Sequence, residues 1–314
     1  MRIFLFMVQF TLGMSIFMLA LKMLGDTLSS ILGFRLRALF TRFTSNKINS
    51  LATGLVATAL VQSSSIVNST MVVLVDSGVL AVPQALGVIL GANIGTTLTA
   101  QIVALPVESA AIPLVLVGLV VIYVIKRPAL GKACLSLGAV FFGLNYTTGV
   151  LAPLLGLPAV QKILLELTGT PIRACVAGVI LTSVVQSSGA VTGLVVSLAG
   201  RNLLTLSAAV GVALGSNVGT VVTTLMASLG RSRASKATAL GDFLFNLVGV
   251  LLILPVFPFF LGLVGSLSMY PGRQVAHAHT LFNIITALAT LPALDNLAKL
   301  AWSWAGIWGG NKNT

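Results

Sequence analysis

Two short polar segments interrupt apolar stretches of this chain: VQSSSIVNST over 61–70 and VQSSGAVTG over 185–193. Their residue types suit ion binding. Serine hydroxyls are short donors that match a tetrahedral oxyanion. With Gln and backbone carbonyl oxygens they also supply the neutral oxygens that a hard cation takes. A helix that restarts after a bend adds open N–H groups and the positive end of its dipole, both of which attract anions. Na+ and an oxyanion in adjacent pockets would screen each other. A single Ser triplet in a membrane helix tends to bond to its own backbone or to ease packing. Two at matching positions point to binding, with Ser63, Ser64, Ser65, Ser187 and Ser188 as the candidate anion donors.

The match between the segments is a duplication. A shift of 124 positions lays Gln62-Ser63-Ser64 on Gln186-Ser187-Ser188, and Gly91, Asn93, Gly95 and Thr96 on Gly215, Asn217, Gly219 and Thr220. From Gly54–Gln101 against Gly178–Leu225, 19 of 48 positions are identical without a gap. Apolar composition would match Leu, Val and Ala, whereas here the polar residues and glycines stay in register. Glycines at every fourth position make a close-packing face. Asn93, Thr96, Thr97, Asn217 and Thr220 set amides and hydroxyls beside that face, as Asn68 and Thr192 do within the polar segments. With Gln62 and Gln186 they are the candidates for shaping the site and holding a cation. A later echo, DFLFN at 242–246 and HTLFN at 279–283, adds Asn246 and Asn283 as helix-to-helix bonding groups. Asp242, His277 and His279 are expected near span ends.

The elements that position these residues follow from length and charge. Lys47 and Asp76 bracket 28 uncharged residues, and Arg173 and Arg201 bracket 27. A 28-residue helix is about 42 Å long, against a hydrocarbon core of about 30 Å. With Gln-Ser-Ser at the centre of each stretch, a re-entrant helical hairpin is expected, since irregular backbone is tolerated at membrane depth when protein surrounds it. Spans are then expected near 3–24, 82–105, 110–125, 134–155, 204–229, 237–263 and 275–294. That arrangement puts 13 Lys and Arg on one face, including Arg35 and Lys312, and five on the other: Arg2, Lys162, Arg173, Arg201 and Arg273. The first face is therefore cytoplasmic, the N-terminus outside and the C-terminus inside. Three spans separate the hairpins, so the second copy is inverted relative to the first. Residues 28–43 read as an interfacial amphipathic helix, and Trp302, Trp304 and Trp308 as interfacial anchors.

Composition agrees with a lipid environment. Of 314 residues 57% are hydrophobic and 8% charged, with a mean hydropathy of +1.06, whereas soluble domains carry about 25% charged residues. The net charge of +12 sits in short clusters between apolar runs, which argues against a nucleic-acid partner. Cys134 and Cys175 read as packing residues. No phosphate-binding loop for ATP and no transition-metal spacing is present. A serine hydrolase is a remote alternative, because an enzyme needs one nucleophile where this chain has two matched sets.

At these residues the chain resembles the sodium-dependent phosphate cotransporter family, the type II group with its bacterial relatives. That family is known for duplicated QSSS hairpins, each followed by a G-x-N-I-G-T helix. The resemblance implies an all-α integral membrane fold of inverted repeats, each with a re-entrant hairpin and a broken G-x-N-(I/V)-G-T helix. It implies one transport domain over 1–314, with repeat 1 about 3–125, repeat 2 about 134–263 and an extra helix about 275–294. It further implies Na+-coupled symport of inorganic phosphate across the cell membrane by alternating access. No enzymatic step and no cofactor beyond Na+ as coupling ion are expected, and a homodimer is plausible from the family. The alternatives are a Na+-independent phosphate exporter or channel, or a carrier of another small anion. Gly189 stands where the family motif has a serine.

Overall fold

In the computed structural model, which describes residues 2–31, 36–105 and 110–308, helices follow one another through short turns, with no strand among the described residues. The first half contains α1 (Arg2–Ile31), α2 (Leu36–Phe43), α3 (Lys47–Val61), α4 (Ser64–Asp76), α5 (Val82–Val103), α6 (Ala111–Tyr123) and α7 (Pro128–Leu155). The second half contains α8 (Pro158–Thr168), α9 (Pro171–Val185), α10 (Ser188–Gly200), α11 (Leu206–Ser228), α12 (Arg233–Ile253), α13 (Phe257–Ser266), α14 (Pro271–Thr290) and α15 (Leu294–Trp308). Side-chain caps set several starts: Asn46 accepts from Asn49 N–H before α3, Thr170 from Arg173 N–H before α9, and Ser232 from Ser235 N–H before α12. Each satisfies a donor that the first turn leaves open.

Five stretches are long and apolar enough to cross a membrane: Phe4–Ser30, Val82–Val103, Pro128–Leu155, Leu206–Ser228 and Arg233–Ser266. Two bent pairs, α8 with α9 at 100° and α14 with α15 at 87°, raise the number to seven if each is one span. This is a multi-pass membrane protein. The expected span at 110–125 is shorter than anticipated: α6 has 13 residues, about 20 Å of helix.

The four-residue glycine spacing acts through packing, and it corrects one expectation. α5 and α11 are continuous helices, with no break at G-x-N-(I/V)-G-T. Their glycines bring them against α3 and α9 backbone to backbone. A Cβ on Gly91 would lie 1.8 Å from the Leu51 carbonyl oxygen, and one on Gly215 would lie 1.9 Å from that of Cys175. Helix contact, and not unwinding, is what these glycines permit.

One further expectation changes. α1 extends to Ile31, so residues 28–31 belong to it, and only α2 remains of the anticipated interfacial helix; Arg35 and Lys312 lie outside the described residues. The C-terminal tryptophans sit on a helix, α15, packed against α12. Arg233 stacks 5.1 Å over the Trp302 ring and donates to the Trp302 carbonyl, so Trp302 anchors an arginine as well as facing outward.

Two apolar cores hold the molecule. One gathers Phe17, Val140, Val195, Phe260 and Phe282; the other gathers Phe40, Met71, Leu86, Phe245 and Leu294. α10, which supplies Val195 to the first core, packs on α11, α5 and α14, while α4, which supplies Met71 to the second, packs on α5, α11 and α12. Each second hairpin arm thus touches the glycine-rich helix of both halves.

Candidate functional site

The two Gln-Ser-Ser segments fold alike. α3 stops at Gln62, whose φ of 57° is left-handed, and α9 stops at Gln186 with φ 59°. A non-glycine residue there is strained, and it turns the chain sharply enough for the next helix to start two residues later. Ser63 and Ser187 are extended and serve as N-caps, accepting from Ile66 N–H at 3.4 Å and Ala190 N–H at 3.2 Å. Gln62 N–H donates to Thr58 O and Gln186 N–H to Thr182 O. The Thr58 and Thr182 hydroxyls, in matching positions one turn before the bends, are fully buried without a hydrogen-bond partner.

The bends meet each other. Ser65 Oγ donates to the backbone carbonyl of Gln186 at 3.2 Å, across 121 residues of sequence. The five candidate serines therefore divide by task. Ser63 and Ser187 cap their helices, and Ser65 joins the bends. Ser64 and Ser188, each 4% exposed, make no side-chain hydrogen bond among the described residues. Beside them lie the first N–H groups of α4 and α10, which the capping oxygens do not reach because they accept from the third residue of each helix.

The Gln side chains differ. Gln62 Oε1 accepts from Thr99 at 2.8 Å, while Gln186 is exposed and approaches Met226 Sδ at 3.6 Å. Gly189 faces Thr99, and a Cβ there would stand 3.8 Å from the Thr99 methyl, an ordinary contact.

The remaining candidates lie along the packed helices. Thr96, Thr97 and Thr220 bond back to carbonyls of their own helices. Thr192 pairs with Ser216 at 3.1 Å. Asn93 donates to Asn246 Oδ1 at 3.0 Å, and Asn217 Oδ1 lies 3.3 Å from His279 Nε2. Asn68 reaches Asp242, and that contact opens a group the residue pattern did not assign to the site.

Asp242 was expected near a span end, but it lies at the middle of α12 and is 1% exposed. The reason is where α12 starts. The Ser232 cap begins it at Arg233, four residues earlier than expected, which carries Asp242 inward by about one turn. His279 is likewise central in α14 and 1% exposed. Asp242 Oδ2 accepts from Thr224 Oγ1 at 2.7 Å and Asn68 Nδ2 at 3.3 Å, and Oδ1 accepts from Asn246 Nδ2 at 2.9 Å. No cation faces it among the described residues. Asn68 Oδ1 is buried there without a partner. The donors come from α4 of one copy and α11 of the other, so this carboxylate ties the two halves together. The sequence signal was the DFLFN echo, which gave the residue without its depth.

Fold and site together define a multi-helix membrane protein with two matched helix bends meeting beside a buried carboxylate. The chain belongs to the Na+/Pi-cotransporter family, whose model it matches over residues 16–149 and 153–291, one stretch around each bend. It is 31% identical over 295 residues to YqeW of Bacillus subtilis, a protein described as uncharacterized, covering 93% of this chain and 96% of that one. It is 28% identical over 272 residues to YjbB of Escherichia coli K12, a putative inorganic phosphate export protein, covering 86% of this chain. The chain spans about half the length of that relative, 50%. A 98-residue stretch, 29% of this chain and 14% of the relative, is 38% identical to human sodium-dependent phosphate transport protein 2B. No solved structure matches.

Proposed function

We propose that this protein carries inorganic phosphate across a cell membrane in company with Na+, by alternating access between two inverted halves. Phosphate sits where the bends meet. The Ser64 and Ser188 hydroxyls and the first N–H groups of α4 and α10 donate to its oxygens, with both helix dipoles pointing at its charge. The observation that carries this reading is the Ser65–Gln186 bond, which brings the two bends into contact. The inverted relation is supported by the ends of the hairpins. α4 finishes against the start of α12, where Asp76 meets Arg231 and Ser232. α10 finishes against the start of α14, where Gly200 meets Gly272.

Na+ then belongs beside Asp242. A carboxylate deep in a membrane protein is costly without a counter-charge. Asp242, Thr224 and the unpaired Asn68 oxygen offer the hard oxygens that Na+ takes. Because the ligands come from both halves, filling the site favours the arrangement in which the bends touch.

The anion site is tested by saturation of phosphate uptake in proteoliposomes. Ser64→Ala and Ser188→Ala each raise the half-saturating phosphate concentration about tenfold, the scale of one hydrogen bond to a charged group. Unchanged saturation in both variants overturns the assignment. The export description of YjbB supports a second reading, with the same site working outward; uptake independent of the Na+ gradient would favour it.

A further inference from the structure

A cavity of about 390 Å3 lies at the end of α5, the opposite end from Lys47, whose carbonyl oxygen stands 3.5 Å from where a Cβ on Gly87 would be. It lies between the end of α5, the middle of α7, the end of α10 and the start of α14. Polar groups in its wall include Arg273, Asn145, Ser197 and Tyr270. No carboxylate lines it among the described residues. Arg201, which follows the lining residue Gly200, donates to Asn145 Oδ1 at 3.2 Å. Arg273 is half-buried and makes no ion pair among the described residues.

The cavity is separate from the bends. Ser197 follows Ser188 by nine residues on α10, about 14 Å along the helix. It also leads toward them. Arg273, His277 and Thr280 fall at i, i+4 and i+7 on α14, one face of the helix, and all three are partly accessible. Gln101 on α5 closes on the same line, donating to Thr280 Oγ1 at 2.8 Å and lying 3.4 Å from His277 Nδ1. A line of polar side chains thus runs from the cavity between α5 and α14, the two helices that flank α10.

We propose that this cavity is an antechamber that docks the oxyanion on the face opposite the lysine- and arginine-rich one, with Arg273 as the cation that holds it. The ligand is a small tetrahedral oxyanion such as inorganic phosphate. The proposal rests on the oxyanion-carrier reading above. A guanidinium offers paired donors to such an anion, and a low-dielectric wall strengthens its field at the mouth.

Phosphorus-31 NMR of inorganic phosphate with the purified full-length protein at low ionic strength reads weak docking directly. In the Ser64→Ala/Ser188→Ala protein, line broadening from the antechamber persists. Adding Arg273→Gln removes most of it, Arg273→Lys keeps part, and Ser197→Leu, which narrows the cavity without altering charge, weakens it. Raising the salt concentration suppresses it, as for an exposed ion contact. In sided vesicles Arg273→Gln raises half-saturation about tenfold from the antechamber face alone. Broadening equal with and without Arg273→Gln and Ser197→Leu overturns the proposal. Absence of phosphate transport by the unmodified protein, with Arg273-dependent broadening intact, would instead count against the transport reading and leave the docking site standing.

Discussion

Asp242 is the residue whose chemistry is most exposed to test. Its carboxylate has three side-chain donors and no cation in a site 1% open. Removing its charge relieves a desolvation cost of several kcal/mol, and the amide N–H that replaces one carboxylate oxygen has an acceptor in Asn68 Oδ1, which is buried without a partner. Asp242→Asn is therefore expected to unfold at the same temperature as the parent or higher. Its phosphate uptake is expected to lose Na+ dependence, falling to within about twofold of the rate in choline if the charge is what recruits the ion. Initial rates across a Na+ series check this; a variant with an unaltered Na+ response would remove Asp242 from the coupling site. The division among the serines belongs to the same scale. Residue types made all five equivalent, and only the backbone geometry separates the caps, Ser63 and Ser187, from the open hydroxyls of Ser64 and Ser188.

Among the elements, the glycine faces and the helix-end contact of α4 decide how the hairpins are held. A methyl on Gly91 or Gly215 meets a backbone carbonyl that has no rotamer to yield, so Gly91→Ala and Gly215→Ala are each expected to cost about 1–3 kcal/mol by overpacking. A Cβ on Gly189 meets only the Thr99 side chain, at 3.8 to 4.0 Å, so Gly189→Ser is expected to be neutral, which thermal unfolding of the three variants compares directly. At the end of α4, Asp76 accepts from Ser232 N–H at 3.0 Å, Arg231 Nη1 at 3.0 Å and Ser235 Oγ at 3.0 Å. The Ser232 N–H above all, with its hydroxyl and the Arg231 guanidinium, holds the carboxyl well below its ordinary value of 3.8. A lowered folded-state value stabilises above the ordinary one and fades as the pH falls beneath it. Asp76→Asn is thus expected to unfold below the parent at pH 7, with the gap closing only under strongly acid conditions; a gap constant down to pH 2 contradicts this. Much at this scale was legible in the sequence. Polar identities in register announced both bends, because each bend needs the same backbone turn. The continuity of α5 and α11 was not legible, since a glycine spacing serves close contact and unwinding alike. The depth of Asp242 was not legible either, because the Ser232 cap sets it within a run of charges that reads as a loop.

At the scale of the molecule, the two copies interlock. α4 of the first touches α11 of the second, and α10 of the second touches α5 of the first. The Ser65–Gln186 bond closes the contact at the bends, and Asp242 bridges α4 and α11 through Asn68 and Thr224. Residue spacing within each copy could not foretell these bonds, which form only when the copies dock. An interlocked pair is suited to coupling, because a cation that fills the Asp242 site acts on groups from both halves at once. In the proposed mechanism phosphate and Na+ share this passage. It is tested most directly by uptake of radiolabelled phosphate into liposomes holding the purified protein, with an inward Na+ gradient or with choline in its place. Na+-coupled symport gives phosphate accumulation that needs the Na+ gradient and collapses when the gradient is dissipated. Phosphate movement at the same rate in choline would rule symport out.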